Sequence, residues 1–210
     1  MLSDKVQALI QETVIDPRVL KIVATIPTGQ PESHMLAITR DGRRGYTSNV
    51  GSGTVSVLDL EARMIVTNIP VAPKVQRISL SADDRWAFTA DQSKPQLAMI
   101  DTALNQVKTW IPLPDTAYGT APTPNGRWLL VVLIKLNKLG VIDLDSLKVM
   151  RTLNVPRAPQ EVLVRPDGAA AYVSCDASHQ VAVINLKNWK VEKLIDAGAG
   201  ADGLGWTQPN

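Results

Sequence analysis

The sequence predicts an all-β β-propeller made of four-stranded antiparallel blades, because three features recur along it with a step of 42 residues. The first is a turn position, occupied by Gly42, Asp84, Gly126 and Gly168. The second opens a short β-prone segment, and it holds Tyr46, Phe88, Leu130 and Tyr172. The third closes another such segment with Asp59, Asp101, Asp143 and Asn185. A register kept over three successive steps indicates copies of one structural unit.

Each unit reads as four strands, A to D, and the first complete copy shows them best. Strand A is predicted at Lys21–Pro27 and strand B at 34–39. Asp41 and Gly42 then form a tight turn, because Gly accepts a positive φ and Asp bonds the neighbouring backbone. Strand C follows at 45–50 and strand D at 55–60. Alternating apolar residues between such closely spaced turns are typical of all-β proteins.

Apolar residues at equivalent strand positions predict the layers that pack between blades. Strand A supplies Ile26, Ile69, Ile111, Leu153 and Ile195. Strand D supplies Leu58, Ile100, Ile142 and Ile184. Strand B supplies Ile38, Leu80, Val164 and Trp206. Burial of apolar area stabilises a protein by about 25 cal/mol per Å², and blades obtain this burial only from one another.

The repeat predicts four complete blades plus one blade split between the termini. The complete units are expected at 21–60, 64–102, 107–144 and 149–186. For the split blade, the N-terminus supplies a strand D at 13–16 and a candidate strand C at 6–10. The C-terminus supplies a strand A at 191–196 and a strand B that ends near Trp206. Two interpretations stay open: a five-bladed ring closed by its own ends, or the C-terminal part of a larger propeller of seven blades.

The predicted domain organisation is one propeller domain at 13–210, preceded by residues 1–12 as a helical turn or a partial strand. The composition limits the classes of function. A formal net charge of +2 argues against a nucleic-acid partner, for which a basic surface is expected. No apolar run approaches the ~18 residues of a membrane span, and the first residues lack the pattern of a secretory signal. The single cysteine, Cys175, excludes an internal disulfide.

The repeated motifs resemble those of the YVTN-repeat β-propeller family. A turn before strand B, a Pro-Asp-Gly hairpin, a YV-x-N-like strand C and a V-x-V-I-D-like strand D occur here as 28–31, 166–168, 172–175 and 181–185. The resemblance covers roughly residues 13–206 and implies a bacterial or archaeal propeller, usually of seven blades and exported to the periplasm or the outside. The family motifs are structural, so the resemblance implies a scaffold rather than a reaction.

A candidate ligand site lies at the mouth of the propeller channel. The position that starts strand B is polar in every copy, and only Gln occurs twice among its residues: His34, Gln76, Tyr118, Gln160 and Asp202. Polar side chains that converge on the axis predict binding of a small molecule or of a protein partner there. The alternative is that these side chains only solvate the channel mouth.

The sequence predicts no catalytic residues, no metal site and no identifiable cofactor. Two histidines, His34 and His179, are too few and too far apart in a propeller to supply most of a zinc site. No Ser lies in a G-x-S-x-G turn. We therefore expect a scaffold that binds a ligand or protein at the channel mouth. The alternative is a lactonase-like hydrolase or a propeller related to redox enzymes, with His34 or Asp202 as a general base. Whether the chain is an enzyme stays open.

Overall fold

The chain is a β-propeller with four antiparallel four-stranded blades in a ring, and the computed structural model describes residues 11–207. An N-terminal hairpin precedes the blades; it consists of β1 (Gln11–Asp16) and β2 (Lys21–Pro27) and forms a separate two-stranded sheet. The strand C predicted at 6–10 lies outside the described residues. Among residues 11–207, no helix has the length and apolar character to cross a membrane.

Each blade contains four consecutive strands joined in antiparallel order. Blade 1 comprises β3 (Ser33–Ile38), β4 (Arg44–Asn49), β5 (Thr54–Asp59) and β6 (Met64–Pro70). Blade 2 comprises β7 (Ile78–Leu80), β8 (Trp86–Asp91), β9 (Gln96–Asp101) and β10 (Gln106–Pro112). Blade 3 comprises β11 (Thr120–Pro122), β12 (Trp128–Leu133), β13 (Lys138–Asp143) and β14 (Lys148–Asn154). Blade 4 comprises β15 (Pro159–Val164), β16 (Ala170–Cys175), β17 (Gln180–Asn185) and β18 (Lys190–Asp196).

The four-stranded blades are confirmed, but their predicted grouping in the chain is wrong. Each strand A pairs with the strand D that precedes it, as β6 does with β5, and not with the strand B that follows. The reason is the length of the connections. The D–A turn is tight, because the side chain of Asp59 accepts hydrogen bonds from the backbone N–H groups of Glu61 and Ala62. The longer A–B segment instead carries the chain to the next blade.

The first strand of each blade is the innermost. Strands β3, β7, β11 and β15 contact their counterparts in adjacent blades and surround the propeller axis. The A–B segments and the C–D turns lie together at one end of these strands, which we call the mouth face. The B–C and D–A turns lie at the other end, which we call the opposite face. Candidate residues at the start of strand B therefore lie on the mouth face.

The predicted strand-D layer is confirmed, because Leu58, Ile100, Ile142 and Ile184 are all fully buried. In the strand-A layer Ile26, Ile69 and Ile111 are also buried, with 1%, 2% and 0% exposure, whereas Ile195 is 39% exposed. The strand-B layer is wrong as a buried layer. Ile38 and Trp206 are exposed, and Leu80 and Val164 are only half-buried. Ile38 belongs to the first blade and Trp206 follows the last one. Among the described residues no complete further blade covers either side chain.

The split blade is represented by two separate parts. Hairpin β1–β2 packs beside blade 1, where β2 contacts β6. Residues 197–207 follow β18 and contain no strand, so the strand B predicted to end near Trp206 is wrong as a strand. Within residues 11–207 no strand pairing joins the two parts. The outer face of blade 4 is consequently exposed along β18.

Two substitutions at one repeat position test this difference in burial. Ile111→Ala removes a fully buried side chain and is expected to lower the free energy of unfolding by about 2–5 kcal/mol. Ile195→Ala, at the equivalent position of blade 4, is expected to lower it by less than about 1 kcal/mol. Urea unfolding measures both values. Equal losses would contradict the exposed face of blade 4.

Candidate functional site

Four of the five predicted site residues lie at or just before the start of the innermost strands, on the mouth face, and the fifth, Asp202, follows blade 4 in a segment without strands. His34 and Gln160 belong to β3 and β15, and Gln76 and Tyr118 lie two residues before β7 and β11. Serine hydroxyls of strand C hold the backbone of this ring. Ser48 donates a hydrogen bond to the carbonyl oxygen of Gln76 in the next blade. Ser174, three repeats later, donates in the same way to the carbonyl oxygen of Asp202. Asp202 therefore occupies the inner position of a following blade although its segment is not a strand.

One pocket of the mouth lies between blades 1 and 2. Nε2 of His34 lies 3.4 Å from Nε2 of Gln76, and the side-chain oxygen of Gln76 accepts a hydrogen bond of 3.1 Å from Gln92. The pocket beside them has a volume of about 270 Å³. It is lined by Glu32, Ser33, His34, Val50 and Gln76. Its walls offer an imidazole and an amide to a polar ligand.

A buried arginine crosses the channel below this ring. Arg77 of blade 2 donates a 2.5 Å hydrogen bond from Nη1 to Glu161 of blade 4, and it also donates from Nη2 to Asp202. Its guanidinium carbon lies 5.2 Å from the ring centre of Tyr118 in blade 3. Only 4% of the Arg77 side chain is exposed. A single cation thus joins two blades and the C-terminal segment across the axis.

Burial and charge act in opposite directions on Glu161. Burial raises the pKa of Glu161, whereas the Arg77 guanidinium and a hydrogen bond from the Val162 N–H lower it. The net direction is upward, because desolvation of a carboxylate is the largest of these influences. The carboxylate is 14% exposed, so solvent screens the ion pair only weakly. Arg77 therefore favours the ionised form of Glu161, against the effect of burial.

Arg77 and Glu161 were not singled out as the centre of the site by the sequence. Each of them directly follows one of the five predicted site residues, at a position where the other copies have Met35, Gly119 and Gly203. In this pattern an Arg in blade 2 and a Glu in blade 4 are separated by a Gly in blade 3. It indicates that side chains at this position can meet across the axis. The Gly is required because a Cβ on Gly119 would lie 2.4 Å from Oε1 of Glu161.

The structure does not bring His34 and Asp202 together as a pair. His34 contacts Gln76, and Asp202 contacts Arg77. Within residues 11–207, no three His, Cys, Asp or Glu side chains are grouped so that they could hold a metal ion. Cys175 is fully buried in strand C, and this burial raises the pKa of its thiol to about 11. A thiol with that pKa is a poor nucleophile near neutral pH.

The opposite face carries two larger grooves, of about 410 and 360 Å³. One lies between blades 2 and 3 and contains Trp86, and the other lies between blades 3 and 4 and contains Trp128. Each Trp has an arginine over its ring, 4.7 Å away for Arg85 and 4.8 Å for Arg127. Because the grooves are formed by turns that repeat from blade to blade, they are explained by the spacing of the blades. The mouth, whose side chains are of four types in five copies, is the better candidate site despite its smaller pocket.

The solved structures that resemble this chain share its propeller fold. A hydrazine synthase from Kuenenia stuttgartiensis has 18% sequence identity and a TM-score of 0.69 over 86% of this chain and 72% of that one. A functionally unknown protein from Desulfotomaculum acetoxidans DSM 771 also has 18% identity, with a TM-score of 0.81 over 92% of this chain. The present chain spans 65% of the length of that protein. At this level of identity the likeness shows the fold alone.

The comparisons leave the family undecided. No protein-family model matches the chain, and no curated protein matches it. The YVTN-repeat family therefore stays a prediction from the motifs, as does the extracytoplasmic location that it implies. The function has to be argued from the site itself.

The contact at Gly119 gives a prediction for stability. Gly119→Ala places a methyl group against Glu161 and is expected to destabilise the protein by about 1–3 kcal/mol, because the overpacked channel must shift. Gly205→Ala is the matched control, since a Cβ there has no atom within 4 Å. Denaturant midpoints of the two variants measure the difference. A Gly119→Ala variant as stable as the control would show that the channel is wider than described.

The raised pKa of Glu161 predicts a pH dependence. An acid whose pKa is higher in the folded state stabilises the fold below its unfolded value, and this contribution is lost as the pH rises through the folded pKa. We therefore expect the stability of the wild type relative to Glu161→Gln to fall as the pH rises above 4.5, the ordinary pKa of the group. Urea unfolding of both proteins between pH 4 and 7 measures this difference, in which the other carboxylates cancel. A difference independent of pH would contradict the assignment.

Proposed function

We propose that this protein is a propeller scaffold that binds a small polar ligand at its channel mouth. The residues assigned to this site are His34, Gln76, Tyr118, Gln160 and Asp202. One observation carries the proposal: the ring position is polar in every copy and holds four different residue types in five copies, with only Gln occurring twice, whereas positions that build the blades repeat. A ligand without repeat symmetry is recognised by side chains that break the repeat.

The pocket beside His34 and Gln76 supports this proposal, because it offers different donors and acceptors on one rigid wall. The imidazole and the amide both change from donor to acceptor by tautomer or rotation. The inner strands that carry them are held by inter-blade packing, which lowers the entropy cost of binding. Neutral molecules rich in hydroxyl or amide groups therefore fit this wall. The hydrolase alternative gains no support from the geometry, since His34 and Asp202 have different partners.

Saturation-transfer NMR with neutral sugars, amides and zwitterionic amino acids tests the proposal. We expect at least one of these molecules to bind the wild type and to lose at least tenfold in affinity in His34→Ala/Gln76→Ala. The control variant is His179→Asn/Gln106→Ala, which removes the same two residue types from the C–D turn of blade 4 and from the start of β10, neither of which lines the pocket beside His34 and Gln76. The control is expected to bind as the wild type does.

Two outcomes would overturn the proposal. One is that no molecule of the panel binds the wild type. The other is that His34→Ala/Gln76→Ala binds with the affinity of the wild type, or that the control loses as much affinity as this variant does. Thermal unfolding of both double variants checks that the propeller remains folded.

A further inference from the structure

Arg77 is the strongest unexplained feature of the channel. Its side chain is 4% exposed. A buried arginine is costly unless its charge and its hydrogen-bond donors are satisfied. The equivalent positions hold Met35, Gly119, Glu161 and Gly203, so the repeat does not demand an arginine there. A positive charge that occurs in one copy alone points to recognition rather than to blade architecture.

The two carboxylates that bind Arg77 differ in how firmly they are held. Glu161 lies on β15, is 14% exposed and also accepts a hydrogen bond from the Val162 N–H. Asp202 lies in a segment without strand pairing, and its side chain is 59% exposed. That segment is attached by the Ser174 hydroxyl at the Asp202 carbonyl oxygen and by Trp206 against Tyr172. Asp202 is therefore the carboxylate that another molecule can replace.

One donor of Arg77 is left without a partner. Among the described residues Nε of Arg77 is buried and makes no hydrogen bond, and such a group costs about 1–3 kcal/mol. Nε and Nη2 lie along the same edge of a guanidinium, so one carboxylate can accept from both. Asp202 accepts from Nη2 alone. A carboxylate that lies along this edge would satisfy both donors.

We infer that Arg77 is the anchor of a binding site for a small monocarboxylate in the channel, and that the Asp202 carboxylate occupies this site until the ligand displaces it. The inference rests on the proposed binding function of the mouth and adds a second subsite in the channel, which takes a carboxylate group. Tyr118 lies against the guanidinium and bounds the site on one side. Glu161 already neutralises part of the charge of Arg77, so a dianion such as sulfate is disfavoured relative to a monocarboxylate.

An NMR titration of the full chain with acetate, followed at the Nε–H signal of Arg77, tests the inference. Asp202→Asn removes the competing charge and leaves the backbone carbonyl that Ser174 binds. We expect acetate to bind this variant at least tenfold more tightly than the wild type. Acetamide has the same shape without the charge, and we expect it to bind neither protein. Glu12→Gln, an acidic residue of the N-terminal hairpin, is the control and is expected to behave as the wild type.

Substitutions of Arg77 distinguish the effect of its positive charge from the effect of its two parallel hydrogen-bond donors. Arg77→Lys keeps a cation but cannot offer two parallel donors, so we expect Arg77→Lys/Asp202→Asn to bind acetate at least tenfold more weakly than Asp202→Asn. Acetate binding to the arginine variants is followed through backbone amide signals of residues around the channel. Arg77→Gln/Asp202→Asn is expected to lose acetate binding, and thermal unfolding confirms that both variants are folded.

Three results would overturn the inference: equal acetate affinity in the wild type and Asp202→Asn, equal binding of acetamide and acetate, or unchanged acetate affinity in Arg77→Gln/Asp202→Asn. If neutral molecules still bind at His34 and Gln76 in that case, the proposed function stands and only the carboxylate site fails. If neutral molecules and acetate both fail to bind, the proposed function fails as well.

Discussion

Packing of one blade face against the next is the constraint on which this structure depends. Each of the three apolar clusters contains residues of adjacent blades: one has Tyr46 and Ala87, the next has Phe88 and Leu129, and the third has Leu130 and Val173. A four-stranded sheet with two apolar faces cannot bury both by itself, so blades stabilise one another in sequence. This packing fixes the inner strands, and the fixed strands hold the mouth residues in place. The same constraint leaves the outer face of blade 4 exposed.

The repeat made the fold predictable because residues one step apart have the same environment in the blades. The turn residues show this, since Asp41, Asp83, Asn125 and Asp167 all accept a hydrogen bond from the backbone two residues later. The grouping of strands was not predictable in the same way. A periodic sequence does not mark where one blade ends. The pairing of β6 with β5, across the hydrogen-bonded turn after Asp59, shows that strand A stays with the preceding strand D.

The polar residues at the channel mouth were predictable for the opposite reason, because their residue types vary from one copy of the repeat to another. The ion pair between Arg77 and Glu161 was not, since a sequence repeat describes neighbours along the ring and not distances across the axis. The C-terminal segment shows the same limit. Its strand pattern was read from Trp206, but pairing requires a partner strand, and within residues 11–207 none lies beside it.

The charged cluster of the channel is difficult to explain by stability alone. Desolvation of Arg77 and Glu161 costs free energy that their attraction only partly offsets, and apolar side chains of similar volume often stabilise a protein as well or better. The chain places Met35 at the equivalent position of blade 1, so the repeat tolerates an apolar residue there. An ion pair that leaves one donor unsatisfied and binds an exposed carboxylate is better explained by recognition. A ligand that completes the hydrogen bonds of Arg77 would account for both features.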